Sequence, residues 1–359
     1  MAMVYNSKTK KALWFIIAIT IASIIWSLSM RDESGTLKFD ESSRPVSAAC
    51  GDASGLLLAR PNTLFTYHVT AKEDSNTLIL RSSKQPKMKD SDAKPFTELP
   101  GVVAQMLHVN EGIYALRYVR NTPHKAKNCY FDVLEQDTGR IIRSTNLPRA
   151  VLHMYLLQDG VICAWSGSFQ LFSIDRGKTW VQLPDTIRGY AYGCGYGDSM
   201  FFLRGGTLSE VKGEAIRQGR LEEKIIARVD STARSLVVDE SSGKLYTVVK
   251  KDGNFFVHQI AGEEKDIFLC DDSEYPGHGL VELQHTQNGK FYASAGFMKH
   301  PFHKANSLIA TDGTSLLRSR NFMDGPYSNG RVDNLIFFYA KTGLQDYVFF
   351  YIDLDKQLQ

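Results

Sequence analysis

Gln170 to Leu183 reads QLFSIDRGKTWVQL, and its polar residues follow the order Ser173-x-Asp175-x-Gly177-x-Thr179-Trp180 between two apolar, strand-forming flanks. That order describes a hairpin whose turn is fastened by its own side chains. Gly177 can take the positive φ of a tight reversal, while Asp175 and the hydroxyls of Ser173 and Thr179 can bond turn N–H groups. Trp180 then brings a large apolar body to wedge against the next sheet.

These five residues resemble the Asp-box, or BNR repeat, of β-propeller proteins, which include sialidases, sortilin-like receptors and photosystem assembly factors. The resemblance covers this one stretch of the chain. It implies a clasp on the last hairpin of a propeller blade, on the outside and away from the central site. On that reading Ser173, Asp175, Gly177, Thr179 and Trp180 are a structural staple, and the motif says more about fold than about reaction.

Outward from the clasp a rhythm recurs: a short apolar run, a Gly, Asn or Asp turn, another apolar run, then a polar connection. Seven such units can be quoted: PNTLFTYHV at Pro61, NEGIYALRYV at Asn110, QDGVICAW at Gln158, YGDSMFFL at Tyr196, SSGKLYTVV at Ser241, QNGKFYASA at Gln287 and TGLQDYVFFYI at Thr342. Apolar β-formers after a Gly or Asn turn are a hairpin signature. Gly112, Gly160, Gly197, Gly243 and Gly289 follow one another at 37 to 48 residues, close to the length of a four-stranded propeller blade. The expectation is an all-β propeller over residues 50–359, with seven blades and six as the alternative. The last unit supplies about two strands, so closure would draw on N-terminal strands at Leu37 to Phe39 or Leu56 to Ala59. A single helical turn is expected at Arg220 to Ile226.

At the other end, Lys8, Lys10 and Lys11 precede an uncharged apolar run, ALWFIIAITIASIIWSLSM, over residues 12–30. At about 1.5 Å per residue such a helix nearly matches the roughly 30 Å hydrocarbon core of a bilayer. The lysines place residues 1–11 in the cytoplasm and the remaining chain outside it. Ser27 and Ser29 also permit a cleaved signal peptide. Either way the domain is exported, to the periplasm if the source is bacterial, with residues 31–49 as a linker from the inner membrane.

Bulk composition narrows the partners. A net charge of +3 across 359 residues indicates neither a nucleic-acid groove nor a polybasic membrane patch. The five cysteines are scattered with no CxxC pair, which removes zinc and thioredoxin-like motifs and leaves one or two disulfides open.

Three constellations bear on chemistry. Sialidase-like hydrolysis, the enzymatic alternative implied by the Asp-box resemblance, needs an arginine triad, a Tyr nucleophile with its Glu, and an Asp acid/base. Ala59-Arg60-Pro61 is a partial match to that family's Arg-Ile-Pro signature, but no triad can be assigned. His300 and His303 flank Pro301 and read as a loop rather than a metal site, and the acidic run Asp271, Asp272, Glu274 lacks an ordered calcium-loop pattern. GYAYGCGYG, residues 189–197, carries Tyr190, Tyr192 and Tyr196 either as interface anchors or as an inner strand of a blade. Long loops on a rigid ring are where binding resides, so partner contacts are assigned to Tyr190, Tyr192, Tyr196, Phe297, His300, Phe302 and His303. No catalytic residue, cofactor, metal or small-molecule substrate is assigned. The reading is a membrane-anchored, exported, non-catalytic protein-binding module, either an envelope or complex assembly factor or an immunity protein that neutralises a toxin.

Overall fold

A computed structural model describes residues 94–119, 128–182, 191–271 and 280–353, apart from short gaps at 168, 221, 263–264, 301–302, 320–321, 323, 333–334 and 342–346. It also describes Trp14 and the strand segments 35–36, 40–42, 48–52, 55–61 and 75–81. Among the described residues the chain forms seven antiparallel sheets, six of four strands and one of five. Their first strands are Ala48–Asp52, Val102–Val109, His153–Leu156, Tyr192–Tyr196, Arg234–Val238, Leu280–Gln287 and Asp324–Val332. We number the sheets 1 to 7 in that order. Within each, successive strands pair in a meander, and in sheets 1 to 5 the fourth strand lies outermost. The first strands of successive sheets meet from sheet 1 to sheet 6, and the first strand of sheet 7 meets the second and third strands of sheet 6 and the first strand of sheet 1. The sheets therefore follow one another around a ring, each lending its inner edge to the centre.

The glycine rhythm has one structural cause. Gly160, Gly197, Gly243 and Gly289 sit between the first and second strands of sheets 3 to 6, Gly112 opens the second strand of sheet 2 at the same bend, and all five have positive φ. At Gly112 a Cβ would lie 2.4 Å from the carbonyl oxygen of Leu134, so the turn needs the missing side chain as well as the dihedral. The first and last units of the sequence pattern are out of phase with these five. Pro61 ends the second strand of sheet 1, and Tyr347–Asp353 is the third strand of sheet 7.

Sheet 7 has three strands of its own, Asp324–Val332, Leu335–Lys341 and Tyr347–Asp353. Its fourth comes from the other end of the chain: Asp40–Ser42 pairs antiparallel with Tyr351, Phe350 and Phe349. The segment expected to be a linker thus supplies the closing strand, just after the Leu37 to Phe39 position. Leu56 to Ala59 belongs instead to the second strand of sheet 1. The physical reason is the exposed ladder of Tyr347–Asp353, whose backbone groups need an outer partner.

The helical turn expected at Arg220 to Ile226 is also displaced. The helix is Gly213–Arg217, and Lys224–Arg228 is the outer strand of sheet 4, with Ile225 opposite Ser209 and Ala227 opposite Leu208. Pairing to an open sheet edge overrides the weak helical pattern of RLEEKII.

Apolar clusters fill the spaces between sheets. Leu116, Phe131 and Val133 of sheet 2 pack with Met154, Ile162, Ala164 and Leu171 of sheet 3. Tyr292, Leu308 and Ala310 of sheet 6 pack with Ile336, Phe338 and Phe350 of sheet 7. Sheet 2 also buries a charge pair: Arg117 donates to Asp132, with side chains 6% and 0% exposed, and to the Pro100 carbonyl at 2.8 Å. Cys129, Cys163 and Cys194 carry free thiols. Of the expected anchor at 12–30 only Trp14 is described, and among the described residues no helix is long and apolar enough to cross a membrane.

Candidate functional site

The clasp has the geometry its residue order demands. Ser173 donates to Asp175 Oδ1 at 2.8 Å and accepts from the Gly177 N–H at 2.8 Å. Asp175 accepts from the Thr179 N–H at 2.9 Å and from its hydroxyl at 2.6 Å. Gly177 has φ 78°, and a Cβ there would lie 2.2 Å from the Phe131 ring of sheet 2. Trp180 meets the same ring edge-on at 5.3 Å and donates to the Gly177 carbonyl at 3.2 Å. The clasp therefore joins the last two strands of sheet 3 and seats them on sheet 2. Partial burial pushes the Asp175 carboxyl up, but the bonds from Thr179, Ser173 and Lys178 outweigh it and hold its pKa at about 2.

A different region has the shape of a binding site. The first strands of sheets 2 to 7 surround a cavity of 460 Å³. Direct bonds tie its walls together. Gln105 of sheet 2 gives and takes a bond with the Met154 backbone of sheet 3, at 3.0 and 2.6 Å. Between sheets 5 and 6 the Leu283 N–H reaches Ser235 Oγ at 2.9 Å. Ser235 holds φ 62°, a conformation costly for a non-glycine residue. Its carbonyl accepts from Thr247 at 2.9 Å, so the unusual backbone is held from both sides.

The segment GYAYGCGYG explains itself here. Tyr192–Tyr196 is the first strand of sheet 4, the inner-strand reading of its alternation. Its two glycines face sheet 3: a Cβ at Gly195 would lie 2.2 Å from the Tyr155 ring, and one at Gly193 would lie 2.7 Å from Trp165 Nε1. Tyr192 and Cys194 pack instead on the cluster shared with sheet 5. Tyr196 rests over the Gly243 turn of that sheet and is 37% exposed. Tyr192 and Tyr196 therefore wedge between sheets, and Tyr190 lies outside the described residues.

The cavity has two levels. At one, Glu282 of sheet 6 accepts from the Tyr192 hydroxyl at 3.5 Å, and burial raises its pKa while Arg234 draws it back down. His153 opens onto the channel beside Trp165, ring centres 5.3 Å apart, and enclosure by protein lowers its pKa. At the other level, Arg331 bonds Glu240 and Gln287, both at 2.9 Å. Burial, with Arg331 adding to it, pushes His285 down to about 3, and Tyr155 is pushed up to about 12 mainly by burial. Arg331 is the one arginine among the described residues that line the cavity. No group of three or more metal-ligating side chains occurs among the described residues.

Of the other residues expected to contact a partner, Phe297, His300 and His303 belong to one hairpin of the ring. Lys290–His300 and His303–Thr311 of sheet 6 form a hairpin of 11- and 9-residue strands, with Met298 opposite Lys304 and His300 opposite His303. His300 and His303 are paired strand residues rather than a free loop. Phe297 belongs to the same strand, and Phe302 lies outside the described residues.

Solved structures share this architecture. The chain matches a chain in a structure described as the mitotic checkpoint complex at TM-score 0.50 and 8% identity, over 89% of this chain and 95% of that one. It matches the β-propeller domain of the trilobed protease from Pyrococcus furiosus at TM-score 0.50 and 10% identity, over 88% and 96%. The fold is a β-propeller. At such identities the likeness extends to the fold alone. A protein from Listeria monocytogenes EGD-e matches at TM-score 0.49 and 12% identity, over 90% and 94%. No family model matches the sequence, and no curated protein does either.

Proposed function

We propose that this propeller is seven-bladed, sealed by the Asp40–Ser42 strand, and works as a non-catalytic protein-binding module on the outer side of the cytoplasmic membrane. The apolar run at 12–30 is its anchor, with residues 1–11 in the cytoplasm and the ring in the periplasm. Its role is assembly of an envelope complex or neutralisation of a toxin. The carrying observation is the sheet 6 hairpin. Its strand Lys290–His300 is the longest among the described residues, and it puts Phe297, His300 and His303 toward the tip of an element braced by a rigid ring.

The alternative, sialidase-like hydrolysis, has less support. A carboxylate clamp of that kind uses three arginines, whereas Arg331 is the one arginine among the described lining residues and is engaged by Glu240 and Gln287.

The test is recovery of partners from detergent extract by the full chain, compared with a variant carrying Phe297→Ala, His300→Ala, Phe302→Ala and His303→Ala. The expected result is loss of a specific partner at unchanged melting temperature. Equal recovery by this variant, and by one carrying Tyr190→Ala and Tyr196→Ala, would end the binding-face assignment. Protease accessibility in spheroplasts reports the side of the membrane, and a chain digested only after lysis would count against export.

A further inference from the structure

Beyond any protein partner, the cavity wall carries a charge that the described residues answer weakly. Glu240 directs its carboxylate to Arg331 at 2.9 Å, and Gln287 holds the other arm of that guanidinium. Glu282 is placed differently: its hydrogen bond is to the Tyr192 hydroxyl, at 3.5 Å, the outer limit of such a contact. Arg234 moderates its charge without overcoming the effect of burial. A partly buried carboxylate in that position is stabilised by any cation that reaches it.

The surrounding surface selects what kind of cation that would be. Tyr155, Trp165 and Tyr192 line the same cavity, and aromatic faces attract positive charge while covering carbon. Gly193 and Gly195 have no side chain to hold Trp165 and Tyr155 off the strand, so those rings lie directly against it. His285 is neutral, and its Nε2 is buried without a hydrogen bond, offering a polar contact but no competing positive charge. At 460 Å³ the cavity is in the size range of small-molecule sites. An anion would meet Glu282 and aromatic faces of the wrong sign. A divalent metal would want several hard oxygen ligands, and the described residues hold no such group.

We propose that the central cavity binds a small organic cation, an amine or a quaternary ammonium, with its charge against the Glu282 carboxylate and its carbon atoms against Tyr192 and Trp165. The test is calorimetric titration of the full chain in detergent micelles with putrescine, with tetramethylammonium chloride, and with sodium acetate as the anionic control. Saturable binding of at least one cation with Kd below about 1 mM is expected, with none for acetate. Glu282→Gln should weaken cation binding at least tenfold while keeping the near-ultraviolet dichroism of the parent. Tyr192→Phe should stay within threefold of the parent, and Tyr192→Leu should lose fivefold or more. Absence of binding by both cations, equal binding of acetate, or an unchanged affinity in Glu282→Gln each overturns the proposal. If Glu282→Gln does not fold, the Tyr192 pair decides, and equal affinities for Phe and Leu overturn it. Partner recovery through the hairpin does not depend on this cavity, so the two readings fail separately.

Discussion

The Ser173–Trp180 clasp and the Tyr192–Tyr196 strand are neighbours in the chain, yet they hold their shape in opposite ways. In the clasp, almost every polar bond joins residues two to four apart, from Ser173 to Asp175 through Asp175 to Thr179. In the strand, the decisive contacts come from elsewhere: Trp165 and Tyr155 fill the spaces over Gly193 and Gly195, and Tyr196 covers Gly243. A local bond network can be read from residue order. A glycine that makes room for a distant ring has no local signature, so the same letters GYAYGCGYG suit a tyrosine-rich interface as well as an inner strand.

That contrast can be broken most directly at Gly195. Gly195→Val puts branched carbon where the Tyr155 ring stands and should cost about 3 kcal/mol by overpacking, read in urea denaturation. Trp165→Ala should restore part of the stability lost by Gly193→Val in a double-mutant cycle. If Gly195→Val leaves stability unchanged, the strand does not depend on its neighbours and the contrast fails. Next in size, Gly177→Ala should cost about 2 kcal/mol, since it combines a positive φ with the approach of Phe131. Here, as at Trp180, the clasp depends on another sheet.

Thr179→Val keeps the backbone bond to Asp175 but removes the hydroxyl bond, and a loss of about 1 kcal/mol in the same assay is expected. The smallest effect is with pH. The folded Asp175 pKa, about 2, lies below the ordinary aspartate value near 4. Its contribution is therefore fully present above about pH 4 and is lost as pH falls from there through 2. Asp175→Asn should flatten that part of the stability profile. A profile unchanged by the substitution would show that the carboxylate adds nothing the amide cannot.

Much of the architecture was legible. Five glycines at the same bend in sheets 2 to 6 reported a repeating unit, because the backbone there takes positive φ in each sheet. The first and last units fell out of phase because Pro61 ends the second strand of sheet 1 and Tyr347–Asp353 is the third strand of sheet 7. RLEEKII was misread as helical since nothing within it announces the open edge it joins. The cavity was not legible at all. Its walls take a few residues from each of six first strands, including Glu282, His153 and Arg331, which are ordinary residues in their own segments.

By itself, then, the sequence determined the strands, their spacing and one fully specified turn, because those depend on dihedral preference and on partners a few residues away. Which strand closes sheet 7, why Gly193 and Gly195 are bare, and where Glu282 is left facing aromatic rings were decided by tertiary structure. Each depends on groups brought together from far along the chain, and chain order carries no record of that distance.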